Sequence, residues 1–369
     1  MTENTAKYDC DVLVIGLGPA GARAAEAAAK SGKHVIALDR KRVAGAPIQC
    51  AEFIPTMLGQ ELAGLDAVTR QGIRAMETYI EEQPRDRTEN FPGRMIDREA
   101  FDRRLVEDAV VAGADCRFGV KVAEIAGDGT VLLSDGMRLS APVLVGADGP
   151  RSKVGAAVGR PNTEIVETRQ VTVPLLRDHD ATDIFLSEDL PGGYGWLFPR
   201  GEVANVGAGI MPEARATLKD VLDELVEELC AQGRVGPDVL AYTGGAIPVG
   251  GRLHSYSRLG ETIVLLCGDA CGLANPVTGG GIAAAVISGE LVGEAASAWL
   301  DGDTDSLEEL ENELSAIFDP ALNRALARRK ALMTSMAAGK TISGDFRRGW
   351  IAYAEYWDDN AKTVEGNAA

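Results

Sequence analysis

Residues 11–30 constrain this chain more than any other stretch: an apolar run (DVLVI, 11–15) enters Gly16-Leu17-Gly18-Pro19-Ala20-Gly21 and leaves into an alanine-rich segment with no helix breaker. Strand, glycine turn and helix in that order make the first turn of a dinucleotide-binding fold. Gly16 permits the tight turn, Gly18 lets the backbone approach a pyrophosphate, and Gly21 lets the helix pack close to the strand. Pro19 and Ala20 open the helix, whose free N–H groups then face the negative charge. A second strand over 34–38 ends in Asp39, where a carboxylate accepts hydrogen bonds from an adenosine ribose. Arg40 follows, placed either to flank an adenine or to lie exposed on the surface. The turn alone does not separate a flavin dinucleotide from a nicotinamide one.

Two further motifs lie downstream. The strand expected over 141–145 runs into Gly146-Ala147-Asp148-Gly149-Pro150, and the strand over 262–266 runs into Cys267-Gly268-Asp269-Ala270. Glycines and an aspartate at a strand end offer backbone and carboxylate contacts to phosphate or ribose. Asn275-Pro276-Val277-Thr278-Gly279-Gly280-Gly281-Ile282 then opens a second alanine-rich helix with free amides at its start.

In this order the three motifs resemble the FAD-dependent family that includes aromatic hydroxylases, flavin halogenases and geranylgeranyl reductases. The resemblance implies that Asp148 contacts FAD or its nicotinamide donor, and that Gly268 and Asp269 meet the ribityl and pyrophosphate portion. It further implies that the backbone of Gly280, Gly281 and Ile282 faces the flavin ring, where amide dipoles stabilise the reduced anion. It makes Arg98, in Asp97-Arg98-Glu99-Ala100-Phe101-Asp102, a cofactor contact; the alternative reading of the same residues is a capped, solvated first turn. With no second glycine fingerprint, NAD(P)H is expected to dock transiently, or another reductant to replace it.

The expected fold is α/β: a Rossmann-type FAD-binding domain with a parallel sheet over 1–160 and 250–300, an inserted antiparallel-sheet substrate domain over 161–249, and a helical C-terminal segment over 301–369. The insertion is placed by alternating strands at 164–175, 183–186, 194–199 and 203–210. A helix with apolar spacing over 216–230 covers one sheet face. Beyond Leu300 two charged helices are expected, over 306–318 and 319–333, with a frayed end at 362–369. Arg324, Arg328, Arg329 and Lys330 read as a solvated helix face, with contact to a membrane or acidic partner as the alternative.

On the substrate side, Tyr194, Trp196 and Phe198 fall two apart, so on a strand they share one face, as a pocket wall or as core. This segment resembles the PxxYxWxFP signature of the geranylgeranyl reductase branch, and Pro47-Ile48-Gln49-Cys50-Ala51-Glu52 resembles its flavin-proximal cysteine loop. The resemblance implies that Cys50, Tyr194 and Trp196 act at the reaction site. A buried, inert thiol is the other reading of Cys50. The stretch after Leu300 is shorter than the C-terminal region that helps enclose the prenyl chain in archaeal lipid-reducing members.

Composition limits the partners. With 37 basic and 55 acidic residues the chain carries a formal charge of −18, which repels nucleic acid and anionic headgroups at long range. The six cysteines are scattered, the three histidines do not cluster, and no metal site is expected. No uninterrupted apolar run reaches the ~20 residues of a membrane span. The opening residues carry no export pattern, and a reducing cytoplasm is expected. The leading expectation is an FAD-dependent reductase of carbon–carbon double bonds in an apolar, isoprenoid or lipid substrate. The alternatives are a flavin monooxygenase acting on an aromatic compound or a protein side chain, and a flavin electron-transfer component. Peripheral membrane contact is compatible with the sequence without being signalled by it.

Overall fold

The computed structural model describes residues 8–56 and 65–358; the frayed end expected at 362–369 lies outside them. A six-stranded sheet runs in the order Tyr256–Leu259, Thr262–Leu266, Val143–Gly146, Val12–Ile15, Val35–Asp39, Asp115–Phe118. All neighbours are parallel except the antiparallel edge strand Tyr256–Leu259. Its strands are continuous apolar runs because both faces are covered. Val12 and Val14 pack under the helices Pro19–Lys30, Arg98–Val111 and Ile282–Leu300, while Leu13 and Ile15 pack under a three-stranded meander over 122–139. The first strand sits between partners reached in opposite directions, so a crevice opens at its carboxyl end.

The helices Pro19–Lys30 and Ile282–Leu300 touch backbone to backbone. A Cβ at Gly289 would lie 2.1 Å from the Ala20 carbonyl oxygen, and one at Gly293 2.4 Å from that of Ala24. The later helix is long and apolar enough to cross a membrane by length and composition, but its buried residues, Ala285, Gly289 and Ala296 among them, serve this core contact.

A seven-stranded sheet forms the second unit, in the order Ala241–Pro248, Ile165–Pro174, Val203–Ile210, Tyr194–Arg200, Ala181–Leu186, Ala75–Ile80, Asp86–Thr88. The helix Leu218–Ala231 covers one face through Leu222 and Leu229. This sheet corrects the expected division: two of its strands come from before residue 160, and Ala75–Ile80 pairs in parallel with Ala181–Leu186. The expected insertion is therefore interlaced with the first domain. A small sheet of Phe53–Pro55, Gly93–Ile96 and Thr69–Ile73 joins the two.

The two helices expected beyond Leu300 are one, Ser306–Ala337, continuous through Pro320. Proline removes one helical donor, but Arg252 grips the preceding Asp319 at 2.7 and 2.9 Å and Ser315 donates to it at 2.6 Å. Leu314 and Leu322 are buried on either side. The three arginines of the basic cluster on this helix are taken up by the fold, and only Lys330 keeps the exposed position expected of a solvated face. Arg328 donates to the carbonyls of Tyr356 and Asp358, Arg329 to those of Gly192 and Pro276, and Arg324 lies over the Trp357 ring. The short helices Ser343–Gly349 and Ala354–Trp357 fold back, so that Phe346, Trp350 and Tyr353 pack against the aromatic strand.

The helix contact is tested by a methyl group. Gly289→Ala is expected to cost about 1–3 kcal/mol, whereas Gly127→Ala, with open space at its Cβ position, should stay within about 0.5 kcal/mol. Thermal unfolding of both reads the difference, and equal melting temperatures would remove the contact from any role in stability.

Candidate active site

A cavity of about 350 Å3 lies between the sheets. Gly18, Pro19 and Ala20, then Ala147 and Gly149, then Asp269 and the Gly280 to Ile282 helix start line one side. Cys50, Arg98, Tyr194, Trp196 and Phe198 line the other. The structure thus brings together most of the residues that the sequence singled out.

The glycines act as their chemistry requires. Gly16, at φ +101, brings its Cβ position to 2.2 Å from the Ala147 carbonyl, and that of Gly21 falls 1.8 Å from the Gly16 carbonyl. No side chain fits at either. Gly18 differs: nothing lies within 4 Å of its Cβ position, so its bare backbone faces open space. Asp39 holds the turn by accepting the Leu17 N–H at 2.8 Å and the Lys41 N–H at 2.7 Å. Arg40 is exposed and does not line the cavity.

Two expected cofactor contacts are corrected. Asp148 turns inward: its carboxylate accepts the Ser152 hydroxyl at 2.5 Å and the Lys153 N–H at 2.6 Å, capping the helix Lys153–Ala157. Burial pushes its pKa up, and its neighbours Ala147 and Gly149 line the cavity instead. Gly268, at φ +56, backs the cradle without lining it; its N–H donates to Ser288 at 3.0 Å, and its Cβ position falls 2.9 Å from the Ala20 Cβ.

Asp269 does face the cavity. Its carboxylate accepts no hydrogen bond from the described residues, and burial pushes its pKa up to about 6 while the Arg98 guanidinium draws it down. Arg98 is half-buried and makes a two-pronged pair with the buried Asp102, at 2.6 and 3.3 Å. Burial opposes its charge, but Asp102 and the adjacent Cys50 hold its pKa above the ordinary value. The solvated-turn reading of Arg98 therefore fails. Its N-cap is real all the same, since Asp97 accepts the Ala100 N–H at 2.9 Å.

Cys50 is fixed by a residue the sequence did not mark. Glu52, at φ +68 and 2% exposed, donates its N–H to the Cys50 sulfur at 3.2 Å. Its carboxylate accepts the Arg98 N–H at 3.1 Å and the Asn205 amide at 3.1 Å, and pairs with Arg200 at 3.0 Å. Gln170 donates to the Cys50 carbonyl at 3.3 Å. Of the six cysteines only Cys50 lines the cavity. Burial pushes the Cys10 and Cys271 thiols up to about 12 and Cys116 to about 11, which makes them inert.

The aromatic strand is both wall and core. Tyr194, Trp196 and Phe198 line the cavity, while Trp196 and Phe198 are buried in one apolar cluster with Met76, Ile184 and Trp350. The Trp196 indole N–H donates to Gln170 at 2.9 Å and the Tyr194 hydroxyl to the Thr278 carbonyl at 2.6 Å. Burial and the neighbouring Cys50 push the Tyr194 phenol up, keeping it neutral. Gln170 and Trp350 were missed in the sequence. Gln170 left no signal of its own, because its strand Ile165–Pro174 also carries Glu167, Thr168, Arg169 and Thr172.

Elsewhere Glu77, His179 and Asp183 offer ligand atoms within 4.8 Å of one another. Arg85 and Arg87 already pair with Glu77, and Arg234 with Asp183. Three guanidinium groups leave no electrostatic case for a dication there.

The cavity fits FAD. Open space over Gly18, two helix starts without side-chain caps at Gly18 and Gly281, and a half-buried Asp269 carboxylate with no hydrogen-bond donor among the described residues are what a pyrophosphate and a hydroxyl-bearing chain require. Gly18→Val starts its side chain where nothing lies within 4 Å, so it should leave unfolding of the flavin-free chain little changed, within about 1 kcal/mol, and abolish FAD retention. Full FAD occupancy by absorbance would refute the cradle. Asp269 has a raised pKa, so without flavin its stabilising contribution is complete at low pH and is lost as pH rises through about 6. Acidifying the flavin-free protein from about pH 7.5 to about 5 should stabilise it by about 1 kcal/mol. Asp269→Asn should erase that dependence while weakening FAD binding at least about tenfold; a variant that binds FAD normally removes Asp269 from the site.

Comparison with known proteins agrees with this geometry. A family model described as geranylgeranyl reductase catalytic domain matches residues 164–247, and one described as lycopene cyclase protein matches 11–181. Digeranylgeranylglycerophospholipid reductase 2 of Methanosphaera stadtmanae is 32% identical over 326 residues, 80% of each chain. Digeranylgeranylglycerophospholipid reductase of Methanosarcina acetivorans is 31% identical, over 82% of this chain and 78% of its own. A geranylgeranyl bacteriochlorophyll reductase-like crystal structure from Thermoplasma acidophilum superposes with a TM-score of 0.78 at 25% identity, covering 91% of this chain and 89% of that one. PqsL of Pseudomonas aeruginosa, a probable FAD-dependent monooxygenase, shares the fold at a TM-score of 0.66 and 19% identity, over 91% of this chain and 99% of its own. With its flavin cradle, cysteine loop and aromatic strand assembled around one cavity, this chain belongs to the geranylgeranyl reductase family of FAD-dependent oxidoreductases.

Proposed function

We propose that this chain reduces carbon–carbon double bonds in the isoprenoid part of a lipid, with electrons from NAD(P)H or another reductant. The observation that carries the reading is the single cavity in which the flavin cradle meets Cys50 and an aromatic wall. The names of the archaeal relatives, digeranylgeranylglycerophospholipid reductases, support the substrate class.

FAD held by the Gly18 turn, Asp269 and the Gly281 helix start would, when reduced, supply the hydride chemistry that alkene saturation needs. The chain's own residues do the rest. The uncapped amides at Gly281 and Ile282 offset negative charge on a reduced cofactor. Tyr194, Trp196 and Phe198 hold the apolar chain, and Trp350 and Ile351 close the cavity from the C-terminal segment, excluding water. The Cys50 S–H gives its proton to the second alkene carbon, and the Arg98 guanidinium compensates the thiolate left behind. One hydride and one proton complete the saturation, and solvent reprotonates the sulfur.

Cys50→Ala should keep the flavin spectrum and cut turnover of a prenyl lipid by about 100-fold or more. Unchanged kinetics would return Cys50 to an inert thiol. Anaerobic reduction followed by oxygen separates the reductase from a monooxygenase: featureless reoxidation is expected, and a transient absorbance band before reoxidation overturns the reading.

A further inference from the structure

Behind the cavity, across the strands Ile165–Pro174 and Ala241–Pro248, runs a groove of about 660 Å3. Thr168, Gln170 and the stretch Thr243, Gly244, Gly245 line both spaces. Gly244 and Gly245 carry no side chain, so at that point the partition is bare backbone. Four cations line the groove: Arg151, Arg169, Arg215 and Lys219. Glu167 pairs with Arg151 and Asp223 with Lys219, leaving Arg169 and Arg215 exposed and without a carboxylate partner among the described residues. Four positive charges against two negative give the groove a net +2 on a chain of −18.

This concentration is unfavourable in the isolated protein. Arg169 lies near enough to Lys219 for their charges to oppose each other, although an acidic chain has carboxylates to place there. Exposed tyrosine adds to the site: Tyr242, 80% exposed, lines the same groove. Forked guanidinium donors match phosphate oxygens, and a tyrosine supplies a further O–H donor or a ring for stacking.

We propose that this groove is a phosphate-ester subsite serving the reaction cavity, filled by the phosphate of a reactant. It rests on the reductase reading only for the identity of that reactant: the pyrophosphate of a nicotinamide donor or the headgroup phosphate of a prenyl lipid. A basic subsite recruits an anion to a protein whose overall charge repels it.

The test uses FAD-loaded protein, so that the glycine cradle is filled, and titrates inorganic pyrophosphate by calorimetry. Binding is expected, weakening as salt rises. The double variant Arg169→Gln, Arg215→Gln should bind at least about tenfold more weakly, with flavin spectrum and melting temperature unchanged because both side chains are exposed. No pyrophosphate binding by the parent protein, or equal affinity in the double variant, overturns the subsite. NADPH and dihexanoyl-phosphatidylglycerol are then run as competitors of pyrophosphate. Competition by NADPH assigns the groove to the donor and competition by the lipid assigns it to the substrate headgroup; failure of both overturns its role in the reaction. No turnover is measured in this series, so a lack of prenyl-lipid reduction would sink the reductase reading and leave these results standing.

Discussion

The site depends first on the backbone contact between the helices Pro19–Lys30 and Ile282–Leu300. With Gly289 against the Ala20 carbonyl and Gly293 against that of Ala24, the two axes come closer than any side chain would permit. Two helix starts more than 250 positions apart in sequence then face one space, and their partial positive ends add there. The parallel sheet beneath follows from the same arrangement. Val143–Gly146 separates Val12–Ile15 from Thr262–Leu266, and the three glycine-bearing turns emerge side by side at their carboxyl ends. Each motif alone is a turn; the helix contact makes them a cradle.

A second constraint couples the cradle to the substrate sheet. Glu52 holds a left-handed backbone conformation that costs about 1 kcal/mol or more for a residue with a side chain. The conformation persists because its buried carboxylate is gripped by Arg200 and Asn205 from two strands of the large sheet and by the Arg98 N–H from the first unit. Cys50 inherits its position from this junction. The charges nearby are balanced in the same way: Arg98 answers Asp102 and faces Asp269, so the cavity holds one half-buried carboxylate in need of a donor beside a cation that is already paired.

How much of this was legible follows from range. The dinucleotide turn is local: Gly16 and Gly21 sit where no side chain fits, and Gly18 presents bare backbone to open space. The strands Val203–Ile210 and Thr262–Leu266 fall where alternation and apolar runs set them. Asp148 misled because a strand-end aspartate serves equally well to cap its own following helix, and the Ser152 that takes it stands only four residues on. The parallel pairing of Ala75–Ile80 with Ala181–Leu186 left no trace, since its register is fixed by buried Glu77 and Asp183 lying opposite each other and neutralised by Arg87 and Arg234 from elsewhere. Trp350 was invisible for the same reason: its cavity position depends on a long helix running unbroken through Pro320, against the proline's own preference.

The aromatic strand shows why core and pocket are not alternatives here. A flavin cavity that receives a flexible apolar chain needs a wall that does not collapse when empty, and burial in the protein's own core supplies that stiffness. The Trp196 ring lies 2.2 Å from where a Gly207 side chain would begin, so the neighbouring strand has given up a side chain to seat it. Its indole N–H is satisfied by Gln170, and the Tyr194 hydroxyl by the Thr278 carbonyl. A ligand against this wall therefore meets aromatic faces and no free tryptophan or tyrosine donor. Recognition falls to shape and apolar surface, which discriminate weakly between hydrocarbon chains that differ by a methylene. Selectivity for one hydrocarbon chain over another therefore needs polar groups outside this wall.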